Sequence, residues 1–420
     1  MISRSNLRTG AAVMVGNGLI AVLGVGALRL YTELAPASLF GTANLALGAL
    51  ALGIQIFVLP VSSTQLRYHT EALRAGRGDA FTAQMMQWAL ASSAILGLLA
   101  VIAFGFGLVP GIATASFALA FAALLWAGVS TARTMLLGRL HAEQRMMAYM
   151  GVRVLEAVLT IAATCGLIVW LKRPEAFVWG QVAAIAVAIA AATLVAPSHL
   201  LRHIDLNRMS QEWPRLWAYG APFVPLALLT WAANLSDRYV LGASVNAAVV
   251  GHYLAAFAIA SNGFTLTNAA MGDLFRPRLF DAQNANDHAR AHRIFLTWMA
   301  GYVAISLLGI LIIVFAGQWV VDIVLARQYR AGAVPIMIWI GFGFAISGCT
   351  IALQNRMFSL GHSARVIWPL AVGAAGNLLF SLVLVRRNGA IGAAEANCAG
   401  FALQFLMTAI SLRRVLKEQR

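Results

Sequence analysis

Residues 290–314 read RAHR and then IFLTWMAGYVAISLLGILIIV, and the second part, 294–314, holds no charged side chain. A helix of that length rises about 31 Å, the thickness of bilayer hydrocarbon. Arg290 and Arg293 crowd one end of it. The same unit recurs along the chain, and the spans expected on hydropathy are 10–30, 37–66, 80–108, 112–137, 146–171, 177–196, 218–241, 249–274, 294–314, 334–357, 366–385 and 389–412. The 420 residues are 60% hydrophobic and 11% charged, with a mean hydropathy of +0.79. No stretch has the composition of a water-soluble domain. The expected fold class is therefore an all-α polytopic membrane protein of about twelve transmembrane helices.

The connections alternate in charge. One face takes Arg4, Arg8, Arg67, Arg74, Arg77, Arg133, Arg139, Arg145, the arginines of 202–215 and 276–293, Arg356, Arg365 and the basic C-terminal residues, 21 of the 30 Lys and Arg in the chain. The other takes Arg29, Lys172, Arg173, Arg327, Arg330, Arg386 and Arg387. Cytoplasmic loops retain Lys and Arg, so the richer face, with both termini, is expected in the cytoplasm. A net charge of +15 invites a nucleic-acid reading, but these charges are scattered over short gaps and form no stripe. Cys165, Cys349 and Cys398 stand apart in apolar runs and match no metal-ligand spacing. Arg4 and Arg8 before an apolar stretch imitate a signal peptide, yet the run is too long, and it reads as an uncleaved first span.

The longest polar gap carries His199, Arg202, His203, Asp205 and Arg208 near mid-chain. It divides the sequence into an N-terminal six-helix lobe (1–197), a cytoplasmic linker (198–215) and a C-terminal six-helix lobe (216–420). A faint echo relates the halves: Arg29 precedes Gly41 by 12 residues, and Arg238 precedes Gly251 by 13. Shared spacing in corresponding spans is the mark of parallel transporter repeats.

Function has to be read from the charges left inside the spans, because each costs about 2.5–3.5 kcal/mol at mid-bilayer. Asp237 and Arg238 sit within 231–242, WAANLSDRYVLG, and as neighbours diverge by about 100° around a helix. Arg153 and Glu156 are spaced i, i+3 and share a helix face, so mutual neutralisation competes with a role in binding. Arg29 and Glu33 lie near the end of the first span, where snorkelling relieves the cost. Asp273 follows Asn262 and Asn268 along the eighth span. The candidate cavity cations are Arg29, Arg153 and Arg238, and the candidate ion-coupling or charge-paired carboxylates are Glu156, Asp237 and Asp273. The pairs His199/His203 and His288/His292 have no converging thiols or carboxylates, and no metal site is expected. No GxSxG elbow, Walker A loop or Asp-x-Asp pair occurs, and the exported gaps are short, so no enzyme is expected.

The order of motifs in the second half is familiar. Tyr219-Gly220-Ala221-Pro222, Ser236-Asp237-Arg238 with Leu241-Gly242, Val250-Gly251-His252-Tyr253 with Ala255-Ala256, Leu360-Gly361-His362, Asn377 and 389–394 (GAIGAA) resemble bacterial lipid-linked oligosaccharide (O-antigen type) flippases of the multidrug/oligosaccharidyl-lipid/polysaccharide exporter superfamily. In the first half only Phe40-Gly41 and the layout agree, and Glu395 departs from the apolar continuation usual after the last motif. The resemblance implies a V-shaped, MATE-like pair of six-helix lobes that moves a polyprenyl-diphosphate glycan between leaflets by alternating access. It implies a bacterial inner-membrane location and no cofactor, the candidates for a coupling ion being H⁺ and Na⁺. The implied partners are the lipid-linked glycan, membrane lipids, a glycan polymerase and other assembly proteins. Competing readings are a multidrug or organic cation exporter of the same superfamily, a membrane-embedded glycosyltransferase or ligase, and a non-transporting scaffold.

Overall fold

The structure, a computed structural model, describes residues 4–112, 116–195 and 214–418, with side chains from Val15 onward except that of Val195. All but the last two residues of the expected linker 198–215 lie outside the described residues. Among the described residues every regular element is a helix. In chain order they are α1 (Arg4–Leu34), α2 (Ala37–Phe57), α3 (Leu59–Arg74), α4 (Gly78–Gly105), α5 (Phe117–Ala142), α6 (Met146–Leu171), α7 (Glu175–Val195), α8 (Phe223–Ser244), α9 (Ala247–Asn284), α10 (His288–Val324), α11 (Ala333–Ser359) and α12 (Ile367–Glu418). Residues 214–220 add a helical lead into α8. Helices satisfy their own backbone donors and acceptors, the condition for crossing hydrocarbon. Eleven of the helical segments among the described residues are long and apolar enough to do so. The protein is a multi-pass membrane protein.

One departure from the expected spans has a local cause. The run 37–66 divides into α2 and α3, because Pro60 at the start of α3 has no N–H to offer and its ring clashes with the preceding turn. α3 is not one of the apolar crossings. It buries one face, Val61, Thr64, Gln65, His69 and Ala72, and exposes Arg67, Glu71 and Arg74. The expected spans 366–385 and 389–412 both lie in α12, whose 52 residues would rise about 78 Å if straight, more than two bilayer cores. Gly389, at φ 56° and ψ −127°, turns the chain back on itself there. The two arms then pack antiparallel at van der Waals limit. A methyl group added to Gly373 would meet Gln404 at 2.6 Å, one on Gly376 would meet Leu403 at 2.7 Å, and one on Gly400 would meet Asn377 at 2.7 Å. With the arms counted separately, eleven apolar segments make twelve crossings.

The chain forms two compact units. The first contains Met1–Ala35 and Thr42–Leu228; the second contains Pro36–Gly41 and Leu229–Arg420. In the first, α4 packs on α5, α6 on α7, and α1 on α6, with a core of Val58, Val61, Phe81, Met85, Trp88 and Met135 where α3 meets α4 and α5. In the second, α9, α10, α11 and α12 surround Trp298, Tyr302, Leu279 and Ala352.

Within the second unit the opening turns of α2 and α9 cross at contact distance. A Cβ on Gly41 would lie 1.8 Å from the Ala247 carbonyl oxygen, and a Cβ on Gly251 would lie 2.1 Å from the Ala37 carbonyl oxygen. The two glycines of the sequence echo are thus reciprocal partners, each four residues after a small alanine. Small residues at this spacing let helix backbones touch. Backbone atoms cannot move aside as a side-chain tip can, so Gly251→Ala is expected to cost about 1–3 kcal/mol and to lower the melting temperature of the purified protein. Gly26→Ala, where a methyl group meets nothing within 4 Å, should leave it unchanged.

Candidate functional site

The first unit holds a polar cavity of about 420 Å³ among α3, α5 and α6. Its walls include Ser62 and Ser63 from α3, Arg133, Thr134, Gly138 and His141 from α5, and Tyr149 and Arg153 from α6. Arg133 lies nine residues before the end of α5 and Arg153 seven residues after the start of α6, which sets both about 10–14 Å along their helices from the turn that joins them. Two guanidinium groups at that depth demand partners or a polar ligand.

Their pairing differs from the expected one. Glu156 does not neutralise Arg153; its Oε2 accepts from Arg133 Nε at 2.8 Å, across the α5/α6 seam. Arg153 turns away, donating from Nη1 to Asn17 Oδ1 of α1 at 3.2 Å and lying 5.5 Å from the Tyr149 ring centre. Side chains on a helix slope toward its N-terminus. Arg153 therefore reaches Tyr149, four residues back, and leaves Glu156 to the neighbouring helix. Tyr149 in turn packs on His141, with ring centres 5.3 Å apart. The hydroxyl protons of Ser62 and Thr134 are given to the carbonyls of Leu59 and Ser130, at 3.0 and 2.7 Å, so their oxygens face outward as acceptors. A cavity with two guanidiniums, one carboxylate bound to the first of them, an aromatic face and hydroxyl acceptors suits an anion that carries hydroxyl groups.

Arg29 is not part of this group. It pairs with Glu33 at 2.9 Å, both well exposed. Its position is twelve residues along α1 from Asn17, about 18 Å away by helical rise.

The second unit answers its charges differently. Asp237 is fully buried on α8; the Tyr253 hydroxyl of α9 donates to its Oδ2, and the Arg238 backbone N–H donates to its Oδ1 at 2.9 Å. The Arg238 guanidinium lies 4.6 Å from the Phe257 ring centre, while its buried Nε has no hydrogen-bond partner. Nearby, Asn377 Nδ2 of α12 donates to the Ala233 carbonyl at 2.8 Å, and Ser381 Oγ donates to Asn377 Oδ1 at 3.3 Å. Asp237 is held by packing helices. Asp273 is exposed, and it lies twenty residues beyond Tyr253 on α9, about 30 Å along the axis. The structure does not gather these two carboxylates into one site. Among the described residues no three His, Cys, Asp or Glu side chains converge as a ligand set, and all three cysteines are free.

Arg133 and Tyr149 escaped the sequence reading. Arg133 falls inside the expected span 112–137 yet counts there only among the basic residues of a connection, whereas α5 continues to Ala142 and carries it nine residues before its end. The signal available was the apolar run itself, which resumes at Met135, Leu136 and Leu137 after the charge.

With the fold and both interiors in view, the class of protein follows from comparison. A family model for polysaccharide biosynthesis proteins matches residues 37–334. Among solved structures, the chain is similar to the lipid II flippase MurJ in an inward closed conformation, with TM-score 0.76 and 11% identity over 97% of this chain and 87% of that one. It is also similar to an inward-facing multidrug resistance MATE family transporter of the MOP superfamily, with TM-score 0.72 and 13% identity over 95% of each chain. A mutant form of the Vibrio cholerae MATE transporter VcmN follows with TM-score 0.61 and 14% identity over 98% of each chain. At these identities the likeness is one of fold, a MATE-like and MurJ-like helical bundle. No curated protein sequence matches the chain. The chain belongs to the polysaccharide biosynthesis protein family.

The Asp237 arrangement predicts a stability effect. Tyr253→Phe strands a buried carboxylate oxygen, a loss of about 1–3 kcal/mol, and the variant's melting temperature should fall well below that of the wild type in the same detergent.

Proposed function

We propose that the protein moves a polyprenyl-diphosphate-linked oligosaccharide from the cytoplasmic to the outer leaflet of a bacterial inner membrane by alternating access, for assembly of a surface polysaccharide. Family membership and the transporter fold support movement of a lipid-borne glycan. The observation that carries the choice of cargo is the first-unit cavity, with Arg133 and Arg153 exposed to the same space. The tail of such a lipid is at home in the bilayer. Its head bears about two negative charges, and each sugar hydroxyl costs several kcal/mol if left unsolvated in hydrocarbon. Guanidinium forks match diphosphate oxygens, and the Ser62 and Thr134 oxygens accept from sugar hydroxyls.

In this reading Arg153 is the primary anion contact, and Arg133 joins it when Glu156 yields to the cargo. Arg238, with its Nε unpartnered, is the cation available in the second unit. Arg29 stays with Glu33. The excess of basic residues on one face supports a cytoplasmic position for both termini. An inside-negative potential then favours outward movement of an anion by about 2.3 kcal/mol per charge per 100 mV. The segments 1–197 and 216–420 are the two halves proposed to rock, with a glycan polymerase and other assembly proteins receiving the product. A cation exporter of MATE type would need a carboxylate open to its substrate. In this cavity the nearby carboxylate, Glu156, is already held by Arg133.

The test is transport by full-length protein in liposomes, following a fluorescent short-chain lipid diphosphate sugar between leaflets. A charge-assisted hydrogen bond contributes about 1.5–3 kcal/mol, so Arg153→Gln should slow flipping about ten-fold or more. Arg153→Lys should fall between, with the melting temperature of both variants unchanged. Flipping at the wild-type rate by Arg153→Gln would falsify the assignment.

A further inference from the structure

Behind the Gly138 wall of the cavity, at the same end of the first unit, α3, α4, α5 and the turn after α5 close over a histidine. His69 is fully buried on α3, outside the apolar crossings. Its Nδ1 lies 3.4 Å from Thr82 Oγ1 on α4, and its Nε2 lies 3.7 Å from Glu143 Oε1 in the turn after α5. The Thr82 hydroxyl gives its own proton to the Gly78 carbonyl at 2.9 Å, so its oxygen acts as an acceptor. The neutral ring therefore carries its proton on Nδ1, and Nε2 presents a lone pair to a carboxylate. Nε2 has no hydrogen-bond partner.

The charged groups facing His69 come from every element around it. Glu143 Oε1 accepts from Arg139 Nε of α5 at 2.6 Å, and Arg139 Nη2 reaches Asp79 of α4 at 2.8 Å. Arg145 stands 4.0 Å from the other Glu143 oxygen. On the outer side of α3, Glu71 pairs with Arg215, both largely exposed. The seam is connected to the cavity. Gln65, one turn before His69 on the same face, donates from Nε2 to the Met135 carbonyl at 3.1 Å. Its Oε1 lies 3.2 Å from where a methyl group on Gly138 would sit, and Gly138 lines the cavity. Gln65 Oε1 and Arg139 Nη1 are, like His69 Nε2, buried without a hydrogen-bond partner.

We propose that His69 is a proton-binding site whose charging re-pairs Glu143 and alters the packing of α3 on α5, so that acidity reshapes the back wall of the cavity. A proton taken from water at Nε2 turns an unanswered lone pair into a donor aimed at Glu143. Glu143 then shifts from Arg139 toward α3, and residues 138–143 move with it. The link to cargo rests on the flippase reading; the titration itself does not.

Burial holds the His69 imidazole below its ordinary range, against the opposing pull of Glu143 and with Arg139 acting in the same direction as burial. The unfolded chain takes up its proton near pH 6.5, at about the ordinary value. Because the folded value is lower, folding stability is lost as pH falls from about 6.5 toward the folded value, and levels below it.

Full-length protein is melted in one detergent at pH steps from about 8 to about 5, bracketing the histidine range. The wild type should lose melting temperature below about pH 6.5, and His69→Gln should lose markedly less. Glu143→Gln, which removes the carboxylate that favours the charged ring, should deepen the acid loss. Coincident profiles for wild type and His69→Gln would sink the proton site. If His69→Gln does not fold, a Glu143→Gln profile that coincides with the wild type does the same. Hydrogen exchange over residues 135–145 reads the link to the cavity wall. Acid should speed it beyond the intrinsic chemical trend in the wild type and not in His69→Gln, and equal exchange in both overturns the link. Neither readout uses cargo, so the liposome assay can fail without these, and these without it.

Discussion

A charge inside an apolar bundle has to be answered by a group on another helix, and that requirement organises both units of this protein. Arg133 on α5 is answered by Glu156 on α6. Asp237 on α8 is answered by Tyr253 on α9, and Arg356 on α11, almost fully buried, is answered by Gln283 on α9 at 2.8 Å. Each contact joins two crossings that apolar packing alone holds without a fixed register. Lipid tails are as apolar as leucine, so helix association in a membrane depends on close packing and on such polar links.

The two units use the same device to different ends. In the second, the hydroxyl of Tyr253 closes over Asp237, and Asn377 is spent on a backbone carbonyl of α8. Asp237 is closed off there, and the neighbouring Arg238 keeps an unpartnered Nε. In the first, the ion pair leaves Arg153 and several hydroxyl oxygens facing a cavity, with Asn17 as the only side-chain hydrogen bond recorded for Arg153 among the described residues. An interior that spends some cations on its own carboxylates and leaves others facing space is what selective binding of an anion requires.

Hydropathy carried the architecture. Runs such as 294–314 have one stable fate in a bilayer, and the positions of Pro60 and Gly389 account for the two places where helices depart from single spans. The site was less legible. Arg153 and Glu156 share a helix face, but periodicity says nothing of what stands on the next helix, and Arg133 outcompeted the intrahelical partner. His69 gave no signal at all, since a lone histidine on an amphipathic segment reads the same whether it faces water or a buried carboxylate. The glycine echo at Gly41 and Gly251 marked a real contact, because only small residues permit backbones to meet there.

The glycine at 389 has a consequence for how the chain can change over generations. Its two arms run without an intervening loop, and Gly373, Gly376 and Gly400 touch their opposite numbers at fixed heights. A residue gained or lost between them would rotate one arm by about 100° and shift it by about 1.5 Å, bringing side chains into the places that hydrogen atoms now occupy. Elsewhere, connecting loops can absorb such length changes. Here descent is confined to substitution, and the last two crossings should keep a constant spacing among descendants even where their residues drift.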